Sequence, residues 1–202
     1  SLHGHTQRSL FAAILAELRK NELADVLTGN GDLVEQMIAA LAVKKPSIAE
    51  KHDEITGTEP LHIDLEAARA YNAALYSIFT GIARFKASRV NGKTTPAVVF
   101  GEHFDLSTLI FPDAEATEQA AHINIGFAPY STGIDFPYLY AYAYPMKPSY
   151  TPPTVPAAAY WHTAGWTGIV LPYTAIAPQT QPEQYVERMC DAFYTALLPL
   201  LG

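Results

Sequence analysis

Phe136-Pro137-Tyr138-Leu139-Tyr140-Ala141-Tyr142-Ala143-Tyr144-Pro145 is the stretch that decides the architecture. From Tyr138 to Tyr144 aromatic residues alternate with Leu, Ala and Ala, the period of a strand with one aromatic and one smooth face. A smooth face accepts a closely packed helix. A row of tyrosines either packs under helices with its hydroxyls reaching an edge, the reading the pattern favours, or lines a groove open to water.

Working outward, residues 122–127 alternate His122 and Asn124 with Ile123, Ile125 and Phe127, which predicts a neighbouring strand. Residues 97–111 are too long for one regular strand, so Gly101 is expected to mark a bulge or bend, with 104–111 the better-defined piece. Residues 166–173 supply a fourth strand. Strands joined by short connections pair antiparallel. The proline-rich stretch 145–156 reads as an extended surface crossing.

Helices flank these strands. Pro182 starts a closing helix with Val186, Met189, Cys190, Phe193 and Leu197 on one stripe. Asp64 is placed to cap a long helix carrying Tyr71, Leu75, Ile78, Ile82 and Phe85. Two shorter amphipathic helices begin near Thr6 and Asp32, separated by Thr28-Gly29-Asn30-Gly31, and residues 47–60 read as a polar linker or surface loop. The expected fold is α+β: an antiparallel sheet of about four strands under the long helix and the C-terminal helix. Residues 1–60 form a helical pair and linker annexed to the body, 61–202.

Composition narrows the function. About half of the 202 residues are apolar and 16% are charged, as in a globular chain with a sizeable core. No apolar run approaches the roughly 20 residues of a membrane span. The net charge is −7, and between residues 94 and 182 Lys147 is the single base against Glu102, Asp105, Asp113, Glu115, Glu118 and Asp135. Such a surface is unsuited to tracking phosphates, so no nucleic-acid partner is expected. One cysteine, Cys190, points to a reducing, cytoplasmic setting and to a small buried hydrophobe rather than a nucleophile.

The residues that can carry chemistry sit near the tyrosines. Glu102, His103 and Asp105, with His122 and a tyrosine, hold the residue types of a general acid–base site. His103, Asp105 and His122 also invite comparison with a two-histidine, one-carboxylate metal triad. The pattern lacks a third closely spaced ligand, and no metal is expected. No phosphate loop, dinucleotide fingerprint or nucleophile elbow occurs, so no cofactor is expected. As a groove, Tyr138, Tyr140, Tyr142, Tyr144 and Asn124 would bind a planar or sugar-like small molecule near Asp105. Asp105 itself is expected to be partly buried, taking hydrogen bonds from the tyrosine strand or His122. The alternative is a non-catalytic assembly module, forming a homo-oligomer through its N-terminal helices.

The words Phe100-Gly101-Glu102-His103-Phe104-Asp105-Leu106, Gly126-Phe127-Ala128-Pro129, Tyr140-Ala141-Tyr142-Ala143-Tyr144-Pro145 and Leu171-Pro172-Tyr173 resemble, in order and spacing, those of an uncharacterised bacterial family, domain-of-unknown-function family 5996. The resemblance covers roughly residues 62–202 and leaves 1–60 unaccounted for. Where that family continues into Arg-Phe-Ser-Gly-Arg, this chain reads Thr108-Leu109-Ile110-Phe111-Pro112-Asp113, so no anion-binding role for those arginines carries over. The resemblance implies a fold and no particular activity.

Overall fold

Asp64 opens the longest helix by accepting hydrogen bonds from the backbone N–H groups of Glu66 (2.9 Å) and Ala67 (3.0 Å). These satisfy two of the donors that a helix start leaves unpaired. The structure, a computed structural model, describes residues 3–21, 30–89, 92–101, 104–112, 117, 119–131 and 133–202. The chain divides into two compact units, Ser1–Ala68 and Arg69–Gly202.

In the first unit α1 (Gln7–Lys20) starts at a capping box between Thr6 and Ser9, and α2 (Leu33–Lys44) starts at Asp32. Their apolar stripes meet at Leu15, Val34 and Ile38, with Phe11, Met37 and Ile55 packed against them. The stripe is therefore largely buried within its own unit, although Ile14 stays 57% exposed. Residues 47–60, expected as a linker or loop, instead fold into two single-turn helices, α3 (Ser47–Glu50) and α4 (His52–Ile55). Four residues are too few for a 3.6-residue period to show in sequence.

The second unit contains most of α5 (Leu65–Arg89), a sheet, and α6 (Pro182–Leu197). The strands are β1 (Lys93–Thr94), β2 (Val98–Phe100), β3 (Asp105–Phe111), β4 (His122–Ala128), β5 (Tyr138–Tyr144), β6 (Tyr160–His162) and β7 (Gly168–Pro172). All pairings are antiparallel, in the order β1-β3-β4-β5-β7-β6, with β2 also on β3. Among the described residues the sheet thus has seven strands, not about four. β1 and β6, which sequence missed, are two and three residues long, too short to display an alternation, while β2 is the first part of the expected 97–111 stretch, parted from β3 at the bend. Between β1 and β2, Pro96 has no N–H to give, and Thr95 bridges the gap by accepting from Leu109 N through its hydroxyl (2.9 Å). Gly101 lies in the bend expected there, between β2 and β3. The fourth expected strand is β7, which begins at Gly168 rather than at Trp166.

The smooth face of β5 takes the helices. Leu139, Ala141 and Ala143 join Ile78, Ile82 and Phe85 of α5 and Val186, Cys190 and Phe193 of α6 in one core. Burying each large side chain there is worth about 1.5–3 kcal/mol. The two helices approach closely at Gly81, where a Cβ would stand 2.6 Å from Val186 Cβ. Arg84 pairs with Glu187 across the same contact at 2.7 Å. Among the described residues no helix is long and apolar enough to cross a membrane.

Candidate functional site

Side chains alternate across a strand, so the tyrosines of β5 point away from α5 and α6. This corrects the expectation that they pack beneath the helices. The row fills the opposite face of the sheet, where Tyr138, Tyr140 and Tyr142 line a pocket of about 320 Å³ together with Asp105 and Trp166. Ala128, Tyr130 and Ser131 complete its wall.

Asp105 is placed by the connection before it. Phe104 adopts a left-handed conformation, φ 55°, and its N–H donates to Phe100 O at 2.8 Å. From the helix side the Tyr71 hydroxyl donates to the Phe104 carbonyl. Burial first, and then the Asp105 charge, push the Tyr71 hydroxyl up to about 12. On the pocket side the Tyr140 hydroxyl donates to Asp105 Oδ2 at 2.7 Å, a charge-assisted bond. To make it, the Tyr140 ring crosses β4 at Gly126, its register partner. A Cβ at Gly126 would lie 2.5 Å from both Cζ and Oη of Tyr140. Glycine is what leaves room for the bond.

The other hydroxyls are also engaged. Tyr138 donates to Ser131 Oγ at 2.6 Å. Asn124 donates to the Tyr142 oxygen at 3.0 Å while accepting from Ser107 Oγ at 3.0 Å. Tyr142, serving as acceptor, keeps its own proton to give. Burial raises the Tyr138 and Tyr142 hydroxyls, and burial together with the Asp105 charge raises Tyr140 well above the ordinary phenol range. All three therefore stay neutral at physiological pH.

Trp166 closes the array. It stacks on Tyr138 at 6.4 Å and meets Tyr140 and Tyr142 edge-on at 6.1 and 6.3 Å. The loop carrying it turns at Gly165, φ 85°. Its ring also lies close against the sheet at Gly168, where a Cβ would be 2.7 Å from Trp166 Cζ3. Trp166 was read from sequence only as a strand residue. A tryptophan between two glycines, Gly165-Trp166-Thr167-Gly168, is the signal that could have marked it, since glycine in a strand often marks a close approach.

Neither the acid–base grouping nor the metal triad weighed from sequence keeps His122 beside Asp105. His122 sits at the far end of the sheet from Asp105, packed against Phe111 at 5.7 Å and Tyr144 at 5.2 Å. The length of β3 separates the two, which at about 3.4 Å per residue is roughly 20 Å. His122 accordingly donates nothing to Asp105, and its Nδ1 is bonded to Ala120 O at 2.8 Å. Tyr144 shares that end, half exposed and outside the pocket. Asn124 is a buried support behind Tyr142. Glu102 and His103 lie outside the described residues.

A model of a family of unknown function, DUF5996, matches residues 16–200. The chain belongs to DUF5996. The match starts well before residue 62, so the family extends into the helical first unit, which the resemblance of short words had left unaccounted for. No curated protein and no solved structure matches the chain. For this DUF5996 member, function has to be argued from the site itself.

Proposed function

We propose that this chain is a small-molecule-binding domain whose site is the aromatic pocket on the sheet face away from α5 and α6. The observation that carries the reading is the convergence of Tyr138, Tyr140, Tyr142 and Trp166 on Asp105 around about 320 Å³, within the size range of ligand pockets. The rings supply apolar area at little conformational cost, and Asp105 and the Tyr142 hydroxyl supply orientation. Binding is favoured over catalysis because the Tyr140 proton is held by burial and by Asp105, which makes Tyr140 a poor general base.

A thermal-shift screen of compounds differing in charge, planarity and sugar character tests the proposal. A ligand present at 100 times its Kd stabilises the folded state by about 2.7 kcal/mol, or a Tm rise of about 5–10 °C. That rise should vanish in Tyr142→Ala and Trp166→Ala. A hit unaffected by both substitutions places the ligand elsewhere.

A second reading, assembly through the helices of the first unit, is favoured by the exposure of Ile14 (57%) and Val43 (85%). Light scattering of the parent and of Ile14→Ser/Val43→Ser tests it. A monomeric parent removes it.

A further inference from the structure

We infer that the ligand of this pocket is an organic cation, an alkylammonium or similar group small enough to sit against the tyrosine and tryptophan rings beside Asp105. The inference rests on the proposal that the pocket binds a small molecule and narrows it to one chemical class. Among the described residues that line the pocket, Asp105 is the one acidic or basic side chain, the others being aromatic or small. The Tyr140 hydroxyl donates to one carboxylate oxygen, Asp105 Oδ2, and a carboxylate has further lone pairs with which to accept from a ligand. Lys147, the one base between residues 94 and 182, is engaged with Pro199 O at 2.7 Å and does not line the pocket. The described lining therefore offers one carboxylate and no cationic side chain to balance it.

The rings have the same preference. Tyr140 and Tyr142 lie nearly parallel, 7° apart with centroids at 6.2 Å, and Trp166 crosses them at 71° and 65°. Aromatic faces carry the negative part of the ring quadrupole, and cages of such faces recognise quaternary ammonium groups. Tyr142 and Trp166 are only half buried, so ring surface remains for a ligand to cover. A neutral planar ligand would gain the ring contacts and leave Asp105 desolvated without a counter-charge. An anion would be repelled.

Calorimetric titration of the full chain with choline and with 3,3-dimethyl-1-butanol, its uncharged isostere, decides the matter. The two probes share a shape, so their ratio reports charge alone. Choline is expected to bind at least about tenfold tighter, and Asp105→Asn, which keeps the shape and an acceptor for Tyr140, should bring the ratio to within about threefold of unity. Should Asp105→Asn fail to fold, the ratio on the parent chain still gives the answer. Equal affinities would overturn the cation inference and leave the binding pocket standing. If neither probe binds, hits in the thermal-shift screen confined to neutral or anionic compounds would overturn the inference alone. A silent screen together with no binding would overturn both readings.

Discussion

Replacing Gly126 by Ala tests the geometry at the centre of the pocket. The added Cβ would stand 2.5 Å from Tyr140 Cζ and Oη and 2.6 Å from Leu106 O, whereas ordinary carbon contacts are about 3.5–4.0 Å. The ring must retreat by about 1 Å, and its 2.7 Å bond to Asp105 cannot survive that movement. Overpacking of this kind costs about 1–3 kcal/mol. Losing a hydrogen bond to a charged group adds about 1.5–3 kcal/mol. Gly126→Ala is therefore expected to cost about 2.5–6 kcal/mol, a large share of the roughly 5–15 kcal/mol that holds a typical domain together. Urea denaturation of the parent, Gly126→Ala, Tyr140→Phe and the double variant measures each part. Tyr140→Phe removes only the hydroxyl and should cost about 1.5–3 kcal/mol. The bond cannot be lost twice, so the double variant should cost less than the sum of the singles by about the same amount. Additive costs within about 0.5 kcal/mol would refute the reasoning that Gly126 serves the Tyr140–Asp105 bond.

Asp105→Ala should lower stability by about 1–3 kcal/mol in the same assay and Asp105→Asn by less; an Ala variant within about 0.5 kcal/mol of the parent would make Asp105 an ordinary surface charge. Phe104→Gly should leave stability unchanged or raise it by up to about 1 kcal/mol, because relief of the left-handed backbone at φ 55° offsets the flexibility of glycine. A clear loss would show that the exposed Phe104 ring packs in a way that matters. In the first unit, hydrogen bonds to Asp53 and then to Glu35 raise the His52 pKa above its ordinary 6.5. A raised folded value means that the contribution is full below pH 6.5 and is lost as pH rises from there through the higher pKa of the folded state. The Arg8 guanidinium holds Asp32 below the usual carboxylate range, and His52 followed by Arg8 does the same for Glu35, so their contribution fades in acid. The unit should accordingly be more stable at pH 6 than at pH 8, with His52→Gln flattening the difference; an NMR titration placing His52 at or below 6.5 would contradict this.

The alternation of residues 138–144 was legible because period two is set by backbone geometry alone, and Leu139, Ala141 and Ala143 do meet the helices. Which face the tyrosines would occupy was not. The pattern favoured a core beneath the helices, but the choice between core and groove depends on which side the helices return to, which alternation does not encode. Asp105 was found because it is an isolated charge between Phe104 and Leu106 in an apolar run. Pairing His122 with it failed because sequence separation says nothing of position along a hairpin. Seventeen residues on, the returning strand β4 enters beside Phe111 at the far end of β3 and reaches the Asp105 end only near Phe127. Trp166 escaped because its role depends on Gly168 in β7, a pairing that a one-dimensional reading does not contain.

The ring array also has an optical consequence. Trp166 lies 6.1–6.4 Å from three tyrosines, close enough for their excitation to pass to it and for their transitions to couple. The chain has one other tryptophan, Trp161, whose ring neighbour is Tyr150 at 5.9 Å. Light absorbed by the β5 tyrosines should thus emerge as indole emission from Trp166, and the near-ultraviolet circular dichroism should carry a coupled band that Trp166→Phe abolishes. A label-free signal is built into the wall of the pocket, and any molecule that slides between those rings will change its colour.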